Sequence, residues 1–186
     1  MNELQFLIRQ EALHDAVIVQ RLHERAFGPG RFARAAYLLR EGATIQPTVS
    51  FVAMIGSLVI GSVRLTPIVI ESAHQPLKEQ LKACFLGPLT VDPAFEGRGI
   101  GRALMRKALD AAQSELYHAI LLVGDATYYH QFGFEKIAPY TLDMPAPIDQ
   151  HRFLCCKLQA TVVLPSKGRI RLYNQLDRLQ QENETC

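Results

Sequence analysis

Residues 90–113 read TVDPAFEGRGIGRALMRKALDAAQ, and this stretch constrains the chain most. Gly97, Gly99 and Gly101 alternate at the mouth of a segment in which Leu104, Ala108 and Ala111 recur at helical spacing, with Leu109 and Ala112 beside them. Glycine weakens a helix entrance unless the backbone needs dihedrals closed to other residues, or something must approach it closely. A strand, a glycine-rich turn and a helix N-terminus together form an anion site. The first N–H groups of a helix lack intrahelical partners, and the macrodipole adds positive potential there. Glycine removes the Cβ atoms that would hold a phosphate away, and Arg98 and Arg102 can pair with its oxygens. A phosphate-bearing ligand is therefore expected at residues 96–102.

The rest of the chain is punctuated as an alternation of strands and helices. Residues 4–9 predict a strand and 14–27 a helix, stopped by the GPG at 28–30. A second short helix is expected over 32–40. Two β-runs, 48–55 and 57–70, flank Gly56-Ser57 as a hairpin. The strand at 83–92 contains Gly87-Pro88, and proline cannot donate to a ladder, so a bulge or an edge is expected there. The long helix covers 99–116, followed by a buried strand at 118–124 and a short helix at 126–132 stopped by Gly133. Residues 134–142 and 151–158 predict two more strands. This order argues a mixed sheet with helices on both faces. In the tail, Leu172, Leu176 and Leu179 share one helical face. Residues 161–186 therefore read as a helical extension, packed on the domain of residues 1–160 or lying at a homodimer contact; both readings stand.

Composition narrows the class. Of 186 residues, 48% are hydrophobic and 20% charged, and the net charge is +2. That is the profile of a globular protein, too mildly basic to point to nucleic acid. No apolar run could span a bilayer, and MNELQFLIRQ lacks the basic n-region of a signal peptide. Cys84, Cys155, Cys156 and Cys186 have no zinc spacing, and no metal is expected. Cys155 and Cys156 are strand neighbours that point to opposite faces, so they do not pair. Reduced thiols and a cytoplasmic location follow as expectations.

Neither standard nucleotide motif fits the glycines. Arg102 stands where the dinucleotide fingerprint needs its third glycine, and the closing Gly-Lys-Ser/Thr of a P-loop is absent. The residues instead resemble the GNAT superfamily of N-acetyltransferases. Glu96-Gly97-Arg98-Gly99-Ile100-Gly101 stands where that family carries its acetyl-CoA signature, Gln/Arg-x-x-Gly-x-Gly/Ala. LTVDP at 89–93 is similar to its strand end, and ATYYHQFGFEK at 126–136 to its short helix ending in Tyr-x-x-x-Gly-Phe. The dense resemblance covers about residues 86–134. One departure is Glu96, a carboxylate where the family has Gln or Arg.

The resemblance implies an α/β (α+β) fold with a mostly antiparallel central sheet of about six to seven strands. It implies acetyl transfer from acetyl-CoA to a primary amine of a small molecule or peptide. Residues 96–102 (Glu96, Gly97, Arg98, Gly99, Ile100, Gly101, Arg102) would hold the pyrophosphate, and Leu89, Thr90 and Val91 the pantetheine arm. The Leu89 N–H would stabilise the developing oxyanion, with an ordinary ladder bond as its rival reading. Tyr129 stands at the family's general-acid position, with Tyr128 as rival. No carboxylate lies on the fourth strand to act as base. His23, Glu24, Glu71, His74, His130 or a water chain remain open, and none is assigned. Arg31 and Arg34 could select an acidic acceptor. The rival functions are a CoA-binding module without chemistry and a site for another phosphate-bearing ligand.

Overall fold

The computed structural model describes residues 5–29, 37, 39, 47–74, 80–145 and 147–173. Its elements begin with β1 (Leu7–Gln10), a 3-10 turn at Leu13–Asp15 and α1 (Ala16–Phe27). The hairpin β2 (Phe51–Ile55) and β3 (Leu58–Ser72) follows, turning at Gly56, whose φ is +56°. Then come β4 (Gln80–Val91), α2 (Ile100–Ser114), β5 (Ala119–Val123) and α3 (Ala126–Tyr129). Short strands β6 (Glu135–Lys136) and β7 (Leu142–Asp143), then β8 (Phe153–Lys157) and β9 (Gly168–Leu172), complete it.

One sheet carries all nine described strands, in the order β1-β2-β3-β4-β5-β8-β6, with β9 on β3 and β7 on β9. Only β4–β5 and β7–β9 are parallel. The mixed, mostly antiparallel sheet is the expected architecture. It exceeds the expected six to seven strands because β6 and β7 are two-residue pairings and β9 comes from the tail.

Two sequence expectations are corrected here. Residues 134–142 do not form one strand: β6 pairs with β8, β7 pairs with β9, and Pro139 and a left-handed Tyr140 (φ +61°) lie between them. The helical tail fails at its start, because Leu172 belongs to a strand. Gly168, Ile170 and Leu172 are buried while Arg169 is exposed and Arg171 half-buried, a period of two. Arg171 also pairs with Glu71 of β3 at 3.0 Å. Leu176 and Leu179 lie outside the described residues. So do Arg31, Arg34 and, apart from Tyr37 and Leu39, the second helix expected at 32–40.

The core sorts by strand alternation. On β4, β5 and β8, Cys84, Leu86, Ile120, Leu122, Leu154 and Cys156 face one cluster, which α2 covers with Ile100, Leu104, Met105, Ala108 and Ala112. Their neighbours Ala83, Phe85, Ala119, Leu121, Phe153 and Cys155 face a second cluster. α1 lays Val19 and Leu22 on Val52 and Val59, and Val52 alternates with the α2-facing Phe51 and Ala53. The helices thus cover both faces. Gly61 lets α2 approach β3: a Cβ there would lie 3.0 Å from Leu104 Cδ1 and 3.1 Å from Thr90 O. Cys84, Cys155 and Cys156 are free, and the last two face opposite clusters as expected.

The β3–β4 ladder breaks once, at a bulge. Leu65 pairs with Leu86 and Val63 with Leu89, so Gly87 and Pro88, joined by a cis peptide, together oppose Arg64. The expected bulge is present. Arg64 is held there by a nearly buried ion pair with Glu11, the residue following β1. Just before the bulge β4 also leaves β5: their pairing ends at Phe85–Leu121, while β5 continues along β8 to Val123. Past Phe85, β4 is bonded on its β3 side only.

Closure of β9 onto β3 depends on Gly168, where a Cβ would sit 2.7 Å from the Glu71 carbonyl oxygen. Gly168→Ala should therefore destabilise the fold by about 1–3 kcal/mol, the usual cost of overpacking, read as a lower midpoint in urea unfolding.

Candidate active site

The glycine turn adopts the conformation its sequence requires. Asp92 caps the 3-10 turn Pro93–Phe95 by accepting from the Ala94 N–H at 3.1 Å, and Arg25 of α1 reaches the other Asp92 oxygen at 2.8 Å. Gly97 (φ +72°) and Gly99 (φ +80°) are left-handed, so both serve the backbone. Gly99 is the N-cap of α2 and supplies no side-chain cap. The first bond onto it runs from the Ala103 N–H to the Gly99 carbonyl at 3.0 Å. The N–H groups of Ile100, Gly101 and Arg102 precede that bond and stand at the positive end of a 15-residue helix. Gly101 has an ordinary helical backbone, and its missing side chain matters for space instead: a Cβ would point at the Tyr128 hydroxyl, 3.3 Å away.

These donors open onto a cavity of about 610 Å³. Glu96, Gly97, Gly99, Ile100, Gly101 and Arg102 line one end, and Leu89, Val91, Tyr128 and Tyr129 the other. Arg98 is not in the wall: it is exposed and lies over the Phe95 ring at 6.0 Å. Glu96 is exposed at the rim. Thr90 points away from the cavity and is buried opposite Ser62, with no hydrogen-bond partner for its Oγ1. Of the expected residues, the structure gathers Leu89, Val91, Glu96, Gly97, Gly99, Ile100, Gly101, Arg102 and Tyr129 around one space.

The backbone of β4 presents donors to it. Asp92 donates its N–H to Ile60 O at 2.8 Å, continuing the register in which Thr90 faces Ser62. In an antiparallel ladder bonded pairs alternate, so the Thr90 N–H turns toward β3 and those of Leu89 and Val91 turn away from it. They turn toward the side that β5 has left.

A second cavity, of about 520 Å³, lies across the same splay. Gly87, Pro88 and Leu89 of β4 and the end of β5 form its walls, with Phe27 and Tyr37 on one side and residues 147–149 and Arg152 on the other. Leu89 and Tyr129 line both cavities.

Tyr129 is set by its neighbours. α3 starts at Asp125, whose carboxylate accepts from the Thr127 N–H at 3.0 Å. The Tyr129 ring meets Tyr128 edge-on at 5.0 Å and Phe134 at 5.7 Å, while Phe132 packs on Tyr128. Burial pushes the Tyr129 hydroxyl up to about 12; nearby Tyr128 adds to this and Arg152 opposes it. Burial raises Tyr128 as well, against the charge of Arg102. Both phenols therefore keep their protons at neutral pH.

The base candidates are scattered. His23 is buried on α1 and bonds Ser62 Oγ at 3.0 Å. Glu24 and His130 are exposed, Glu71 pairs with Arg171, and His74 lies past the far end of β3. None of these five lines either cavity. Two features escaped the sequence reading. Gly124, after β5, leaves room for the Tyr129 ring, and Arg152 reaches the second cavity from the 3-10 turn just before β8. Only alignment of β5 with α3 in space reveals them.

With this geometry in hand, comparison with known proteins places the fold. Residues 46–136 match the acetyltransferase (GNAT) domain family. The chain is similar to the uncharacterized N-acetyltransferase YhbS of Escherichia coli K12, 28% identical over 173 residues, 92% of this chain and 99% of that one. It is also 27% identical over 161 residues to the uncharacterized N-acetyltransferase YjhQ of E. coli K12, covering 84% and 86% of the two chains. The crystal structure of E. coli YhbS in complex with CoA superposes with a TM-score of 0.71 at 27% identity, over 96% of this chain and 95% of that one. A Brucella melitensis GNAT acetyltransferase solved with acetyl-CoA shares the fold, with a TM-score of 0.65 at 24% identity, over 93% and 99% of the chains. The chain is similar to GNAT acetyltransferases, in sequence over residues 46–136 and in fold over nearly its whole length. Among the described residues no cluster of His, Cys, Asp or Glu is placed to hold a metal ion, and no helix is long and apolar enough to cross a membrane.

A Cβ at Gly124 would lie 2.3 Å from Tyr129 Cε2 and 2.7 Å from its Cδ2. Gly124→Ala should cost about 1–3 kcal/mol as the ring is forced aside. Most of that cost should vanish in a Tyr129→Ala background, a coupling read from a double-mutant cycle in urea.

Proposed function

We propose that this protein transfers an acetyl group from acetyl-CoA to a primary amine. One observation carries the reading: the uncapped N-terminus of α2 and the unpaired edge of β4 open onto the same cavity, which ends at Tyr129. Its positive end suits a pyrophosphate, and its edge suits an extended arm with amide groups. The glycine positions fit this ligand, because a side chain at Gly101 would fill the space before the helix donors. The CoA bound in YhbS supports the assignment by analogy.

When bound, acetyl-CoA supplies an activated acyl carbon in a thioester. The protein's part follows from its residues. The N–H groups of Ile100, Gly101 and Arg102, with the Arg102 side chain, hold the pyrophosphate; Glu96 stays at the rim and the exposed Arg98 adds long-range attraction. The Val91 N–H aligns the arm. The Leu89 N–H, turned off the ladder, donates to the acyl oxygen as negative charge develops on it. Thr90 contributes its backbone only. The acceptor nitrogen forms the new C–N bond while the C–S bond breaks. Its surplus proton passes to water, since none of His23, Glu24, Glu71, His74 and His130 lines either cavity. Tyr129 donates its proton to the departing sulfur and regains one from solvent. The three buried, free thiols support a reducing, cytoplasmic setting.

Two measurements test this. CoA should raise the melting temperature and bind by calorimetry, because a ligand specific to the native state stabilises it. Gly101→Ala should melt no lower than the parent, alanine being the better helix former, yet bind CoA more weakly. Undiminished CoA affinity in that variant would remove the cradle from the mechanism.

Tyr129→Phe should lower turnover roughly 10²-fold, read by free-thiol release with a panel of amines, and leave CoA affinity nearly unchanged. Tyr128→Phe should be milder. Reversal of that order would pass the acid's role to Tyr128.

A further inference from the structure

The second cavity has a chemistry of its own. Phe27, Leu89, Pro147 and Ile148 give it apolar surface, with Phe85 and Leu122 behind it in the two core clusters, and the rest of its lining is polar. Three charged residues stand in its lining: Asp125, Asp149 and Arg152. The two aspartates are engaged by the backbone. Asp125 caps α3 through the Thr127 N–H, and Asp149 caps the 3-10 turn Gln150–Arg152 through the His151 N–H, each at 3.0 Å. Arg152 is different. Its carbonyl accepts from the Gly124 N–H at 2.9 Å, which fixes its backbone beside the end of β5. Among the described residues no side chain hydrogen-bonds or ion-pairs with its guanidinium. Tyr129 lines the same cavity, and the Arg152 charge is felt at its hydroxyl.

Resting on the acetyltransferase reading above, we propose that the second cavity binds a free α-amino acid with an apolar side chain, and that Arg152 holds its carboxylate. An acceptor nitrogen must reach the junction at Leu89 and Tyr129, which both cavities share. In an α-amino acid the carboxylate is two bonds from that nitrogen, so an anion-binding group is needed close to the junction, and Arg152 is the cation there. A guanidinium pairs with a carboxylate through two parallel N–H bonds. The apolar surface takes the side chain, and about 520 Å³ lies within the usual range for small-molecule pockets. A peptide N-terminus or amino amide has no anion to give Arg152.

The test compares L-phenylalanine with L-phenylalaninamide, which differ in the carboxylate. The first readout is calorimetric binding to the protein without CoA; the second is kcat/KM for thiol release with acetyl-CoA. L-Phenylalanine should bind, and should exceed the amide by at least about tenfold in both, as a charge-assisted pair implies. Arg152→Gln should bring the acid-to-amide ratio close to one, chiefly through KM, and Arg152→Lys should restore part of it. The exposed side chain makes a folding defect easy to exclude by melting temperature. No binding of L-phenylalanine, equal values for acid and amide, or an unchanged ratio in Arg152→Gln would each overturn the proposal. CoA titration of the same samples separates the two layers: CoA binding without amino-acid preference sinks this inference alone, whereas loss of CoA binding sinks the acetyltransferase reading.

Discussion

The divergence of β4 from β5 is the constraint on which the rest depends. It begins where Gly87 and Pro88 crowd opposite a single residue of β3, and a proline at that point has no N–H to give either neighbour. Once the ladder is lost on one side, backbone groups of Leu89 and Val91 face a gap. Both cavities are consequences of that gap: one opens toward the N-terminus of α2 and the other toward α1 and the 147–152 loop. The Arg64–Glu11 pair secures β3 at the level of the bulge, and β9 extends its support along the other half of that long strand.

The glycines divide the labour differently from what their even spacing suggests. Gly97 and Gly99 are demanded by positive φ, Gly101 by the space in front of the helix, and Gly61 by the contact between α2 and β3. Gly124 makes room for an aromatic ring. A site formed this way owes little to reactive side chains. Its donors are mostly backbone groups, held where they are by chain conformation, so little ordering is required when a ligand arrives.

Local signals made much of this legible in the sequence. The Gly-rich turn, the α2 stripe, the Gly56 hairpin and the Gly87-Pro88 bulge each rest on a few adjacent residues whose physics is self-contained. Tyr129 was legible as a position, while its burial depends on Gly124 and Phe134, which the chain brings together only when folded. The tail misled because Leu172 suits a helical stripe as well as the alternation of GRIRL, and only pairing with β3 decides between them. Arg152 had no signal at all: a lone arginine before a strand becomes informative when its neighbours across space are known.

An exposed strand edge is ordinarily a hazard, since unpaired N–H and C=O groups invite strands from other chains and lead to aggregation. The free edge of β4 is turned inward instead, bounded by the end of β5 on one side and by the α2 entrance on the other. At the outer ends of the sheet path, β1 has four residues and β6 has two, too short to template much. The unpaired edge of β4 is thus hidden in a notch. A neighbouring strand is too wide to enter with its own sheet attached, but a single slender chain can.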